Sequence, residues 1–308
     1  MSDIIKNEPC GVLVINKHKG VTSHDIVNKV RRLYGTKRVG HTGTLDPLAT
    51  GVLVVLVGRA AKASEYLVCD SKKYRALLRL GLTSDSEDIT GNILTQSNDI
   101  PDCEEVKKAC GEFVGNIKQT PPMYSALKVG GKKLVDLARE GKTVERQARD
   151  ITVFSIAVTQ TENNTDYILD VHCSSGTYIR TLCADIGARL GCGGVMAELE
   201  RREAGGFEID KSYSLDALEE MSEEERLSLL IPTERLFSTL ESVRLESFYE
   251  KLSRNGCEIY QKKIKSDIAV GSRVRMLTKS GEFYALGEVR EYEDGTAIKA
   301  IKLFDLQE

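Results

Sequence analysis

GHTGTLDPLATG, from Gly40 to Gly51, runs directly into VLVVLV, from Val52 to Val57. The first stretch holds three glycines, a proline and no apolar periodicity, so it reads as a loop. The second is a short unbroken apolar run, the pattern of a buried strand. Asp46 is the only carboxylate in the loop and lies between Leu45 and Pro47. Pro47 locks its own backbone φ, directly after Asp46. The glycines allow close approach of another backbone or of a ligand. From the residues alone three readings stay open for this loop. Asp46 is a turn residue, or a nucleophile, or part of a phosphate-cradling loop, although the last lacks both GK[ST] and the GxxxxGK spacing.

Working outward, Gly11–Gly20 opens as a strand and ends in a turn. Ser23 is placed to cap a helix with Asp25 in its first turn. Ile26, Val27, Val30, Leu33 and Tyr34 recur at helical spacing, and Gly35 ends the helix. Past the buried strand, residues 59–68 read as a short helix, 73–80 as a strand, 84–92 as an acidic loop and 102–114 as a helix. Residues 119–149 combine a Pro-Pro turn, a Gly-Gly turn and many basic side chains, and read as a loop–helix excursion from the core. Strands over 151–160 and 166–174 follow. A helix over 177–190 carries Ile179, Leu182, Cys183, Ile186 and Leu190 on one face. Residues 215–230 are acidic and helical. A composition change over 231–241 marks a boundary. One more helix, 243–254, precedes short alternating runs between glycines 271, 281, 287 and 295, the spacing of a small β-barrel.

The chain has 308 residues, which suggests two domains. Net charge is −3, but it is unevenly placed. Residues 1–80 hold 14 Lys and Arg against 6 Asp and Glu, and 121–150 hold 7 against 4, whereas 81–120 and 213–240 are acidic. The basic segments are candidates for a polyanion surface. The N-terminus lacks a secretory layout, and no apolar run nears the roughly 20 residues of a membrane helix, so a cytoplasmic protein with no membrane partner is expected. The eight cysteines form no CxxC pair and only four His are present, which predicts reduced structural thiols and no metal site.

The Gly40–Gly51 loop resembles the catalytic loop of the TruB family of tRNA pseudouridine synthases. Four further stretches resemble that family's motifs, in family order over roughly residues 11–207. Val14–Ser23, with Asn16, Lys17, Gly20, Thr22 and Ser23, is similar to its N-terminal motif. Lys73–Gly81 is similar to its tyrosine-bearing strand. PPMYSALKVGGKKLVDLAREG (Pro121–Gly141) is similar to its bacterial RNA-binding insertion, and SSGTYIRTLCADIG (Ser174–Gly187) to its arginine-bearing motif.

The resemblance implies an α+β pseudouridine synthase fold, with a mixed, mainly antiparallel sheet and a central cleft beside Asp46. A catalytic domain over 1–236 would be followed by a PUA-like β-barrel over 237–308, for which RNA contact and a purely structural role both stay open. It implies isomerisation of the T-loop uridine of tRNA, position 55, to pseudouridine. That reaction breaks an N–C bond and makes a C–C bond to the same base, so it calls for no cofactor. It needs a carboxylate, and the family pattern makes Asp46 the nucleophile. Attack at C1′ and deprotonation at C2′ to a glycal both stay open. Arg180 would be the cation that keeps Asp46 ionised. Tyr74 would stack on the target base and is a candidate base at C2′. Tyr178 would lie near the uracil, Leu199 would wall the pocket, and His41 would contact extruded nucleotides. Lys17 would contact the substrate, and Lys128, Lys132 and Lys133 would meet phosphates of the T arm. Flipping the target out of its stack costs a few kcal/mol, which such phosphate contacts offset.

A guide-dependent archaeal or eukaryotic relative shares the Asp loop, but the 119–149 insertion resembles that of stand-alone bacterial enzymes. No guide RNA or protein partner is therefore expected, and a monomer is expected because tRNA itself supplies a large interface. A non-catalytic RNA-binding protein on the same fold is disfavoured because Asp46, Tyr74 and Arg180 are all present. Two departures stand out. His18 occupies a position where the family usually has Pro. In LERRE (199–203), Glu200 stands where an Arg is usual, which puts an RNA contact there in doubt.

Overall fold

A computed structural model describes residues 8–67 and 71–305. In chain order the first elements are β1 (Gly11–Lys17), α1 (Ser23–Leu33), β2 (Val39–His41), β3 (Thr50–Val57) and β4 (Ser71–Leu80). Then come the small hairpin β5 (Leu82–Ser84) and β6 (Ile93–Gln96), α2 (Cys103–Gly111) and β7 (Gly115–Gln119). The 119–149 excursion holds the hairpin β8 (Lys128–Val129) and β9 (Lys132–Lys133), and α3 (Leu134–Arg139). Next are β10 (Arg149–Gln160), β11 (Asp166–Ser174), α4 (Ile179–Leu190), β12 (Gly194–Ala204), β13 (Phe207–Glu208), α5 (Leu215–Glu220) and α6 (Glu223–Ser228). The chain ends with β14 (Glu241–Arg244), α7 (Ser247–Arg254), β15 (Ile259–Tyr260), α8 (Gln261–Ile264), β16 (Arg273–Leu277), β17 (Phe283–Tyr292) and β18 (Gly295–Leu303).

One nine-stranded sheet runs β1-β3-β12-β4-β11-β10-β7, with β2 on β3 and β13 on β12. All its pairings are antiparallel except β3 with β12. The expectation of a mixed, mainly antiparallel sheet therefore holds. Burial patterns explain which strands sit centrally. In β3, Leu53, Val55 and Val57 pack with α1 and α4 residues on one side, while Val52, Val54 and Leu56 pack with Phe237, Leu286 and Phe304 on the other. The C-terminal sheet thus covers the back of β3. Each side chain so buried contributes about 1.5–3 kcal/mol. That is why VLVVLV is apolar throughout instead of alternating. β4 does alternate: Tyr74, Ala76, Leu78 and Leu80 face the core, while Arg75 and Arg79 form ion pairs with Asp170 and Asp166 directly opposite on β11.

Several local expectations change in the structure. Thr22, not Ser23, caps α1: its hydroxyl accepts from Asp25 N at 3.1 Å while Asp25 Oδ2 accepts from Thr22 N at 2.8 Å. The capping hydroxyl has to precede the first helical residue, and Ser23 is already inside the helix, with another task described below. The helix read from residue 59 is a 3-10 helix, Gly58–Glu65; Val68 and Cys69 lie outside the described residues. Residues 215–230 form two short helices, because Ser222 caps a second start with Glu225. Val243 and Arg244, read as the start of a helix, belong to strand β14, which pairs with β16, and only 247–254 is helical. The C-terminal sheet has the order β14-β16-β17-β18-β15. Among the described residues no helix is long and apolar enough to cross a membrane.

Candidate active site

The Gly40–Gly51 loop leaves β2 and returns as β3. Pro47 occupies the second position of a turn closed by Ala49 N donating to Asp46 O at 3.0 Å, a position for which its fixed φ is suited. Pro47 O accepts from Gly20 N at 2.8 Å, which joins the loop to the N-terminal motif. Gly51 has φ +95°, and a Cβ there would fall 2.3 Å from Arg201 O. Only glycine lets β12 pass this close.

Beside this loop lies a cleft of about 410 Å³, within the range of small-molecule sites. Asp46, Tyr74, Tyr178, Arg180 and Leu199 all line it, together with Lys72, Tyr124 and Ser125. Five separate segments, the loop, β4, the 119–149 insertion, the start of α4 and β12, deliver these side chains to one place. Among the described residues Ser125 Oγ is buried with no hydrogen-bond partner. A second cleft of about 620 Å³ shares Asp46, Tyr124 and Arg180 with the first.

Arg180 Nε lies 3.0 Å from Asp46 Oδ2. The arginine is 5% exposed, so it is not a surface residue of α4. Its fork is fully committed: Nη1 donates to Ser86 O at 3.1 Å and Nη2 to Tyr124 O at 2.7 Å. Asp88 Oδ2 stands 3.8 Å from Nη1. The other oxygen of Asp88 accepts from Ser86 Oγ, Thr90 N and Thr90 Oγ1 at 2.9, 2.9 and 2.6 Å. Arg180 therefore serves two carboxylates and two carbonyls, and Tyr124 O comes from the 119–149 insertion. Asp88 was not legible in the sequence, where it sits in an acidic stretch that resembles a solvated loop.

Tyr74 is 7% exposed. Burial pushes its hydroxyl above the usual phenol range, and the positive charge of Arg201 opposes that rise. Tyr178 precedes α4 and is fixed by Gln119, whose amide accepts from Tyr178 N at 2.8 Å and donates to Tyr178 O at 3.0 Å. Leu199 is 8% exposed and faces the cleft from β12.

Three expected residues lie elsewhere. His41 ends β2 at the root of the loop and does not line the cleft; burial, with Arg201 and His24 nearby, lowers its pKa. Lys17, expected to contact the substrate, is fully buried, and its Nζ donates to Val21 O at 2.9 Å and His18 O at 3.1 Å. These bonds also hold the turn at His18, the position where the family usually has Pro. Desolvation lowers the Lys17 pKa to about 8, against the attraction of Asp46. Lys132 is exposed at the tip of the insertion hairpin, away from the cleft. The side chains of Lys128 and Lys133 lie outside the described residues.

Two further residues bear on the loop. Ser23 Oγ accepts from Leu45 N and donates to Leu45 O. Arg201 is 1% exposed and donates to Val52 O, Gly43 O and Thr44 O at 2.7, 3.0 and 3.4 Å. The signal for Arg201 was strand parity, since residues two apart on a strand share a face and Leu199 points inward. The same parity turns Glu200 outward, where it pairs with Arg202 at 3.3 Å. Among the described residues no group of three metal-ligating side chains is assembled, and the seven described cysteines are free thiols.

This architecture is the pseudouridine synthase fold. It matches the structure described as a Cbf5–Nop10–Gar1 complex with a TM-score of 0.73 at 26% identity, covering 96% of this chain and 85% of that one. A substrate-bound H/ACA ribonucleoprotein matches with a TM-score of 0.72 at 24% identity, covering 97% and 86%. In sequence, the TruB family pseudouridylate synthase N-terminal domain matches residues 31–179, and the tRNA pseudouridylate synthase B C-terminal domain matches 180–238. The tRNA pseudouridine synthase B of Alkaliphilus oremlandii is 41% identical over 296 residues, 95% of this chain and 98% of that protein. That of Clostridium kluyveri is 40% identical over 295 residues, 96% and 99%. The chain belongs to the TruB family of pseudouridine synthases.

Proposed function

We propose that this chain isomerises uridine 55 in the T loop of tRNA to pseudouridine, with Asp46 as nucleophile and the target base flipped into the cleft. The observation that carries this reading is the contact between Asp46 and the buried Arg180, in a cleft walled by Tyr74, Tyr178 and Leu199. The guanidinium sets its positive charge 3.0 Å from the carboxylate and holds it in a fixed orientation beside the cleft. Relatives that match nearly the full chain at about 40% identity bear the name tRNA pseudouridine synthase B, which supports tRNA as the substrate.

The carboxylate either attacks C1′, breaking the bond to N1 of uracil, or acts while C2′ loses a proton and a glycal forms. The freed uracil turns within the cleft and C5 bonds to C1′, as the bond from Asp46 to C1′ breaks on the first route or as C2′ regains its proton on the second. A proton leaves C5 and one is gained at N1, so nothing enters or leaves overall. Tyr74 and Leu199 hold the base during the turn, and Tyr178 packs near it. His41, at the root of the loop, contacts neighbouring extruded nucleotides. The 119–149 insertion grips the T arm through Lys128, Lys132 and Lys133. We propose that the protein works without guide RNA or protein partner, and that the catalytic part spans 1–236 and the C-terminal part 237–308.

The test is incubation of an unmodified tRNA transcript with the pure protein alone, followed by mapping of pseudouridine. Modification at uridine 55 is expected, and Asp46→Asn should abolish it while tRNA still binds. An unmodified uridine 55, or turnover by Asp46→Asn within about tenfold of wild type, defeats the reading.

A further inference from the structure

We infer that Arg201 is a positioning residue of the reaction: one buried guanidinium clamps both stems of the Asp46 loop and fixes that loop against the strand that bears Tyr74. The inference rests on the reading of Asp46 as the reacting carboxylate.

The geometry is specific. Gly43 and Thr44 lie before Asp46 and Val52 lies after it, and Arg201 donates to the carbonyls of all three. A rigid fork of donors can join two chain segments in a way that a single point donor cannot. Arg201 also sits at the junction of two pairings. Across the parallel pair it is opposite Gly51, the last residue of the loop, and across the antiparallel pair it is opposite Tyr74. Directly after it, between Arg201 and Glu203, the register of β12 against β4 shifts. Such irregularities re-aim side chains and gather beside active sites.

Packing alone does not explain the residue. An isolated charge is costly to bury, and an apolar side chain of similar size often fills such a space at no loss of stability. Arg201 is among the largest fully buried side chains of the protein. What an apolar residue cannot supply is hydrogen bonds to the carbonyls of Gly43 and Thr44, which lie outside the strands, and to Val52 O near the start of β3. Charge-assisted bonds of this kind are strong. They hold the loop at the height of the cleft floor, where Asp46 meets Arg180.

The test compares Arg201→Lys and Arg201→Gln with wild type. Three quantities are measured: single-turnover rate at saturating tRNA transcript, tRNA affinity, and hydrogen exchange across 43–52 without RNA. Arg201→Lys keeps the charge but not the fork, and its rate should fall about tenfold; Arg201→Gln should lose about 100-fold. Affinity should stay within about threefold in both. Amides of the loop should exchange faster than in wild type, with exchange in β4 and β11 unchanged. In Arg201→Ala, millimolar guanidinium should restore part of the rate, and sodium chloride at equal concentration should not. A wild-type rate in Arg201→Lys with only a lower melting temperature overturns the inference, and so does unchanged loop exchange. If Arg201→Gln fails to fold, Arg201→Lys still decides. An inactive wild type would instead refute the functional reading, and loop exchange would continue to test Arg201.

Discussion

Ser23 and Leu45 exchange two hydrogen bonds through one hydroxyl: Ser23 Oγ accepts from Leu45 N at 2.8 Å and donates to Leu45 O at 3.0 Å. Both residues are buried, at 2% and 4% exposure, so neither polar group of Leu45 has water in reserve. The first turn of α1 is thereby fastened to the residue before Asp46. Ser23→Ala leaves two buried backbone groups unpaired and should cost about 1–3 kcal/mol. The single-turnover rate should fall as the loop loosens, with tRNA affinity kept. An unchanged unfolding midpoint in denaturant would show that the loop does not depend on this contact.

Arg180→Met should be more damaging, because it leaves Asp46 and Asp88 without their shared cation. Of the two, Asp88 is the buried partner, and breaking a buried pair typically costs about 3–5 kcal/mol. Adding Asp88→Asn removes one of the stranded carboxylates and should recover part of the stability without restoring turnover. A double-mutant cycle by chemical denaturation checks this. Simple additivity of the two changes would mean that Asp88 and Arg180 do not interact.

Tyr74→Phe separates stacking from proton transfer. The ring remains and the hydroxyl goes. If the hydroxyl takes the C2′ proton, binding persists and turnover falls about 100-fold or more; that is the expected outcome. Burial holds this phenol above its ordinary range, so the wild-type rate should climb with alkaline pH as the phenolate forms. Near-normal turnover in the Phe variant would reduce Tyr74 to a stacking surface.

Lys17 gives a stability signature. Its folded pKa of about 8 lies below the unfolded value of 10.5. Below pH 8 both states hold the proton and the folded state bears the cost of burying it. Between the two values only the unfolded state holds the proton, so stability rises with pH across this window. Lys17→Met has nothing to titrate there. The stability of wild type relative to Lys17→Met should therefore increase by about 3 kcal/mol from pH 7 to 10.5. A flat difference in urea midpoints over that range would place the Lys17 ammonium in water.

Replacing Lys128, Lys132 and Lys133 with Ala tests the insertion. Phosphate contacts are insensitive to sequence and weaken with salt. The triple variant should bind tRNA more weakly, with a shallower dependence of log affinity on log salt, while turnover at saturating tRNA is largely kept. Hydrogen exchange over 119–149 with and without tRNA shows whether the segment closes on RNA. Strong protection in the free protein, unchanged by tRNA, would identify a rigid structural insertion.

What the sequence determined by itself was the loop, the strand after it and the family motifs that place Asp46, Tyr74, Arg180, Tyr178 and Leu199. These are short-range signals: Gly and Pro spacing, alternation in β4, helical periodicity in α4, and five motifs in one order. Tertiary structure alone decided the rest. No local pattern shows that Ser23 reaches Leu45 across 22 residues, that Asp88 shares Arg180 with Asp46, or that Arg201 spans the loop stems 149 to 158 residues away. Nor does periodicity show that Lys17, on the β1 face of Leu13 and Ile15, turns its charge onto the carbonyls of Val21 and His18. The physical reason is common to Ser23, Asp88 and Arg201. A polar side chain far from its partners in sequence carries no mark of whether it meets water or buried carbonyls. Only the packing that removes the water makes the hydrogen bond obligatory.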